Sequence, residues 1–189
     1  MRIYAPANNP QPGYLLRYMP AQGWPGFGTE DNAATCLEVG TLVLTPEGPR
    51  PIETLRIGEP VWAWDPAVPD LVVTRVTDLD PVHTEAVWEV AGEGGHLRAT
   101  AFHRVRVERL FPGWTWQGWV DCRTVQPGDI LLSPTGKRLT VTGVRLVGLR
   151  PVMNLTTAPR HNFLVAGGPF IVADAQDPFV VDPESFAIY

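Results

Sequence analysis

The chain has 189 residues, which is one domain with room for flanking segments. Twenty prolines and eighteen glycines exclude long helices, and 44% apolar content in runs too short to span a bilayer excludes a transmembrane helix. The net charge of −5, with no cluster of Lys or Arg, gives no surface for nucleic acid or an anionic membrane.

In chain order, residues 1–35 are rich in Pro and Gly without a sustained apolar period, and read as a loosely structured leader. They lack the basic start and apolar segment of a secretion signal, so a cytoplasmic location is the default expectation. The composition changes at Cys36. From there to Asp174 short Val-, Leu-, Ile-, Thr- and Trp-rich runs alternate with turn signals, which predicts an all-β body. Strands are expected at 59–64, 71–76, 87–90, 96–101, 105–109 and 140–147. Residues 175–189 form a second flank.

One stretch repeats. Gly40 to Arg50 (GTLVLTPEGPR) aligns with Gly128 to Arg138 (GDILLSPTGKR), each copy placing apolar residues before a Pro-X-Gly reversal, as a duplicated β unit would. Trp114 and Trp116 share one face of a strand around the turn Phe111-Pro-Gly-Trp-Thr-Trp-Gln-Gly-Trp119, a pattern of hairpin packing.

The chemistry centres on the two cysteines and four histidines, His83, His96, His103 and His161. They show no close ligand spacing such as Cys-X-X-Cys, so no metal or other cofactor is expected. A single bridge between Cys36 and Cys122 stays open, although Cys122 reads better as a small buried residue. There is no phosphate loop, nucleophile elbow or dinucleotide fingerprint. Cys36 stands where leader meets body, and its thiol reaches the carbonyl of Thr35 through a five-membered ring. Amide resonance opposes that attack unless the fold strains the bond or a donor protonates its nitrogen. His103 is the candidate donor, with the Thr100 hydroxyl three residues earlier fixing the turn.

The order of these elements resembles the Hedgehog/intein (Hint) family, the horseshoe-shaped all-β fold with a pseudo-twofold duplication found in inteins, Hedgehog C-terminal domains and bacterial intein-like modules. The resemblance spans Cys36 to Asp174. It rests on Cys36-Leu-Glu-Val-Gly-Thr41 with Arg50 to Glu59, on Ala99-Thr-Ala-Phe-His103, and on Trp119-Val-Asp121 leading to Val125-Gln-Pro-Gly-Asp129. It continues in Pro151 to Thr156 and His161 to Val165. The resemblance implies that Cys36 is the nucleophile, that Thr100 and His103 hold and protonate the scissile amide, and that His161 assists at the downstream junction. Asn154 stands where inteins often carry aspartate, which leaves it without an assigned role.

The pattern departs at its end. Splicing inteins close with His-Asn followed by Cys, Ser or Thr, whereas Ile171-Val-Ala173-Asp174-Ala175 offers neither the imidazole nor an acceptor. Standard splicing is therefore not expected. The expected outcome is a thioester at Cys36 and release of residues 1–35, with the chain's own flanks as substrate and water or an external thiol or amine as acceptor. Slow cleavage between Asp174 and Ala175, through attack by the Asp174 carboxyl on its own carbonyl, is a further expectation. The chain is expected to act as a monomer. A catalytically silent Hint scaffold is the competing reading.

Overall fold

The computed structural model describes residues 35–65, 67, 71–134, 138–166 and 170–174. The leader through residue 34, Ala175 and the C-terminal flank lie outside the described residues. Within them the fold is all-β, with fourteen strands and two short 3-10 turns. The strands are β1 (Leu37–Glu38), β2 (Leu42–Thr45), β3 (Gly48–Pro51), β4 (Pro60–Trp64), β5 (Leu71–Leu79), β6 (His83–Gly92) and β7 (Gly95–Thr100). They continue as β8 (Arg104–Phe111), β9 (Trp114–Asp121), β10 (Ile130–Leu132), β11 (Arg138–Met153), β12 (Leu155–Ala158), β13 (Asn162–Val165) and β14 (Phe170–Ala173). Each of the six expected strands is present, and most run longer than the local pattern indicates.

An eleven-stranded sheet follows the order β1-β7-β6-β11-β10-β8-β14-β13-β2-β3, with β9 on β8, and a three-stranded sheet follows β12-β5-β4. Strand β11, sixteen residues long, pairs with β10 over Arg138–Thr140 and with β6 over Val141–Val152. The alternation expected of strands appears in β7, where Leu97 and Ala99 turn inward while Arg98 pairs with Glu89 across the ladder at 2.8 Å. β13 and β14 have every residue buried, as uninterrupted apolar runs at the centre of a sheet require. Their Phe163, Phe170 and Val172 join Leu37, Val61 and Val105 in the main core.

The duplication is present, and its closest internal correspondence lies elsewhere than in the Gly40 and Gly128 hairpins. Ile52–Thr54 and Cys122–Thr124 are both 3-10 turns leading into a Gly-acid pair, Gly58-Glu59 and Gly128-Asp129. The hydrogen bonds repeat. Thr54 Oγ1 donates to Pro51 O at 2.7 Å, as Thr124 Oγ1 does to Asp121 O at 2.8 Å. Glu59 Oε2 accepts from Arg56 N at 3.0 Å, as Asp129 Oδ2 does from Gln126 N at 2.9 Å. Gly58 and Gly128 reach positive φ, 91° and 94°, and donate to Val76 O and Val141 O. The two turns are thus two copies of one local unit.

The tryptophans pack the β8–β9 hairpin. Trp114 stacks on Phe111 with centroids 4.2 Å apart, Trp116 covers Gly118, and the Arg106 guanidinium lies over Trp64 and Trp119 at 4.9 and 5.9 Å.

Candidate active site

Cys36, Thr100, His103 and Asn154 meet around the peptide bond between Thr35 and Cys36, although the chain separates them widely. β1 enters between β7 and β11, with Leu37 opposite both Ala99 and Met153. That register places the Thr35–Cys36 link at the end of β7, where Thr100 N donates to Cys36 O at 2.9 Å. The Cys36 N–H in turn donates to Thr100 Oγ1 at 2.9 Å, so the nitrogen of this peptide bond is held by a hydroxyl that is itself buried. The expected turn follows: His103 N donates to Thr100 O at 3.1 Å, and the Cys122 and Arg123 amides donate to His103 O and Ala101 O.

Asn154 closes the other side. Its Oδ1 accepts the Leu155 N–H at 2.9 Å, which fixes the amide so that Nδ2 faces Thr35. Nδ2 donates to the Thr35 carbonyl oxygen in a short contact, with Thr35 Oγ1 3.4 Å away. Asn154 is fully buried. A buried amide donor on the carbonyl that sulfur would attack is the arrangement that stabilises an oxyanion, because the donor is already oriented before charge develops. Sequence reasoning left Asn154 without a role. Its Nδ2–carbonyl contact spans 119 positions, and no local pattern signals it.

The His103 ring is fully buried and lies at the Thr35 backbone. Burial pushes it down to about 4, against the opposing pull of the Thr35 backbone and the Asp174 carboxylate. Neither ring nitrogen completes a hydrogen bond of good geometry among the described residues. This imidazole is therefore neutral near pH 7, and its imidazolium, once formed, is a strong proton donor.

The Cys36 thiol is 2% exposed, and burial pushes it up to about 12, with the Asp80 and Glu85 carboxylates adding to the rise. The pocket does not activate the thiol by lowering its pKa, because it is desolvated and faces two negative charges. Sγ lies 3.9 Å from His83 Nε2, a contact that the sequence analysis missed. Cys122 is free, fully buried in the core, and its thiol is also raised by desolvation. Both cysteines are free thiols, so the bridge left open by their number is absent.

His161 and Asp174 form a second cluster at the β13–β14 hairpin. Asp174 Oδ2 accepts from Thr157 N at 2.7 Å and Thr157 Oγ1 at 3.0 Å, with His161 Nδ1 at 3.2 Å. Asp174 N donates to His161 O at 3.2 Å. The carboxylate is also close enough for its field to act on His103. Both ends of the expected processing domain thus converge on one buried imidazole. His96 stands apart on β7, lining a shallow groove with Arg98 and Glu38. Among the described residues no three His, Cys, Asp or Glu side chains group as a metal site.

No family model matches the chain, and no curated protein matches it. Solved structures do. A bacterial intein-like domain from Clostridium thermocellum is 23% identical, with 75% of this chain and 99% of that chain covered at a TM-score of 0.64. A DnaB intein from Synechocystis sp. PCC 6803 is 17% identical, with 74% and 98% covered at 0.61. The gp41-1 intein is 16% identical, with 74% and 98% covered at 0.59. Identities this low establish the architecture alone, and that architecture agrees with the all-β expectation. The described β body of this chain has the Hint fold of inteins and bacterial intein-like domains.

Proposed function

We propose that this chain processes itself through an N-to-S acyl shift at Cys36, forming a thioester with Thr35 and then releasing residues 1–35 to water or to an external thiol or amine. The observation that carries the reading is the buried clamp on one peptide bond: Asn154 Nδ2 on its carbonyl oxygen and Thr100 Oγ1 on its N–H. In this mechanism Sγ attacks the Thr35 carbonyl carbon, Asn154 receives the growing negative charge, and Thr100 holds the nitrogen as it loses amide character. His103 passes a proton to that nitrogen, which leaves as the amine of Cys36. An imidazolium held down to about 4 gives its proton readily and is scarce at neutral pH, so the first turnover is slow.

At the other end, Ala173 and Ala175 supply no penultimate imidazole and no acceptor side chain. The domain therefore spans residues 36–174, with the flanks as its substrate and no splicing of one flank to the other. His161 orients Asp174, whose Oδ2 already serves three donors, so cleavage between Asp174 and Ala175 is slow.

Incubation of the full chain with hydroxylamine or dithiothreitol, followed by intact-mass spectrometry, tests this directly. The expected product is a fragment beginning at Cys36, formed faster in either reagent than in buffer and absent from Cys36→Ala. An intact wild-type chain in both reagents would favour the second reading, a silent scaffold, which the fully protonated thiol and the missing terminal His-Asn pair support.

A further inference from the structure

The proposed acyl shift needs a group to take the thiol proton, and His103 is committed to the nitrogen. We infer that His83 is a further catalytic residue of this domain: its Nε2 accepts the Sγ proton of Cys36 as sulfur bonds to the Thr35 carbonyl carbon. The inference rests on the acyl-shift reading and deepens it.

Three observations carry it. Sγ and Nε2 are 3.9 Å apart, across 47 positions of sequence, so the contact is made by the fold and not by chain proximity. The other ring nitrogen, Nδ1, lies 3.1 Å from the Pro81 carbonyl oxygen. A carbonyl can only accept, so Nδ1 carries the hydrogen, and Nε2 is left with its lone pair toward the sulfur. Finally, His83 begins β6 directly opposite Val152, and its side chain is exposed while Cys36 is buried. The imidazole thus bridges a desolvated thiol to solvent, where a proton can leave.

The need for such a group follows from the pocket. A thiol pushed up to about 12 is ionised in only a minute fraction of molecules at neutral pH, so a thiolate formed beforehand would be too rare to act. Asp80 and Glu85 are the two carboxylates that oppose the thiolate, and Arg150 stands opposite Glu85 across the ladder. Transfer to His83 as sulfur bonds to carbon avoids a free thiolate in this pocket and moves the negative charge to the Thr35 oxygen, to which Asn154 Nδ2 donates.

The step balances without an oxidant or other reactant. The S–H bond breaks, the S–C bond forms, and the thiol proton resides on His83 Nε2. The negative charge passes to the Thr35 oxygen. As that electron pair re-forms the C=O bond, the C–N bond breaks and the nitrogen takes its proton from the imidazolium form of His103. Exposed His83 gives up its extra proton to solvent, so the net change is one proton moved from sulfur to nitrogen.

The test uses the full chain with dithiothreitol, reading the Cys36 fragment over time by intact mass. His83→Gln keeps size and hydrogen bonding but takes no proton, and it is expected to slow fragment formation by about 10²-fold or more, the usual worth of a general base. His83→Ala is expected to be equally slow and to recover in proportion to added imidazole, with the more basic 4-methylimidazole more effective at equal concentration. Loss of a merely structural contact at this exposed position would show neither dependence on basicity nor rescue. Wild-type rates in both variants, or slow variants that imidazoles fail to rescue, would overturn the role of His83 while leaving the acyl shift standing. A wild-type chain that makes no Cys36-dependent fragment would overturn the acyl shift and this base together.

Discussion

At the scale of single residues, the site divides into what local sequence marks and what only the fold assembles. Cys36, Thr100 and His103 sit at recognisable positions, and the hydroxyl-to-amide bond at 2.9 Å gives Thr100 the geometry that its spacing from His103 suggested. Asn154 and His83 carry no such mark, because one reaches the carbonyl across 119 positions and the other the sulfur across 47. If Asn154 serves the developing oxyanion, Asn154→Ala should lower the rate of thioester formation by about 10²- to 10³-fold in the hydroxylamine assay. An Asn154→Ala chain that cleaves at the wild-type rate would remove this residue from the mechanism.

At the scale of elements, the strand positions were readable because alternation and turn residues are local signals, whereas strand lengths were not. β11 continues for sixteen residues because two different partners extend its ladder, which no window of sequence reports. The internal repeat illustrates the same limit. Identical side chains drew attention to the hairpins at Gly40 and Gly128, while the two 3-10 turns at Ile52 and Cys122 share hydrogen bonds and little sequence identity. The two turn units also differ in their stability. Asp129 is buried and makes two 2.7 Å contacts to the Arg109 guanidinium, whereas its counterpart Glu59 pairs with Arg50 in a partly open setting. Asp129→Ala is therefore expected to lower unfolding free energy by about 2 kcal/mol, since it removes the buried carboxylate that holds Arg109 and the Gln126 N–H. Glu59→Ala should leave the denaturation midpoint close to that of the wild-type chain. Equal urea midpoints for the two variants would contradict this asymmetry.

At the scale of the whole molecule, the core is built around a histidine that the fold keeps neutral. Its folded-state value, about 4, lies below the ordinary histidine value of 6.5, so the unfolded chain binds a proton first as the medium is acidified. The stability that this burial leaves intact near neutral pH is lost as pH falls from about 6.5 to 4, an expected loss of about 3 kcal/mol. Urea unfolding of an uncleavable Cys36→Ala background across that window should show the decline, and His103→Gln in the same background should flatten it. A parallel decline in both would assign the acid sensitivity to carboxylates instead.

On the proposed mechanism, the Asp174 carboxylate, anchored by Thr157 and His161 yet felt at His103, would set an order of events. Severing the backbone after Asp174 would leave a fresh terminal carboxylate next to the existing one, and a second negative charge there makes a positively charged His103 easier to form. Loss of the tail would then prime release of the head, without a reciprocal effect of the same kind. A gene stopped at codon 174 should accordingly yield protein that sheds its first 35 residues sooner than the full-length chain.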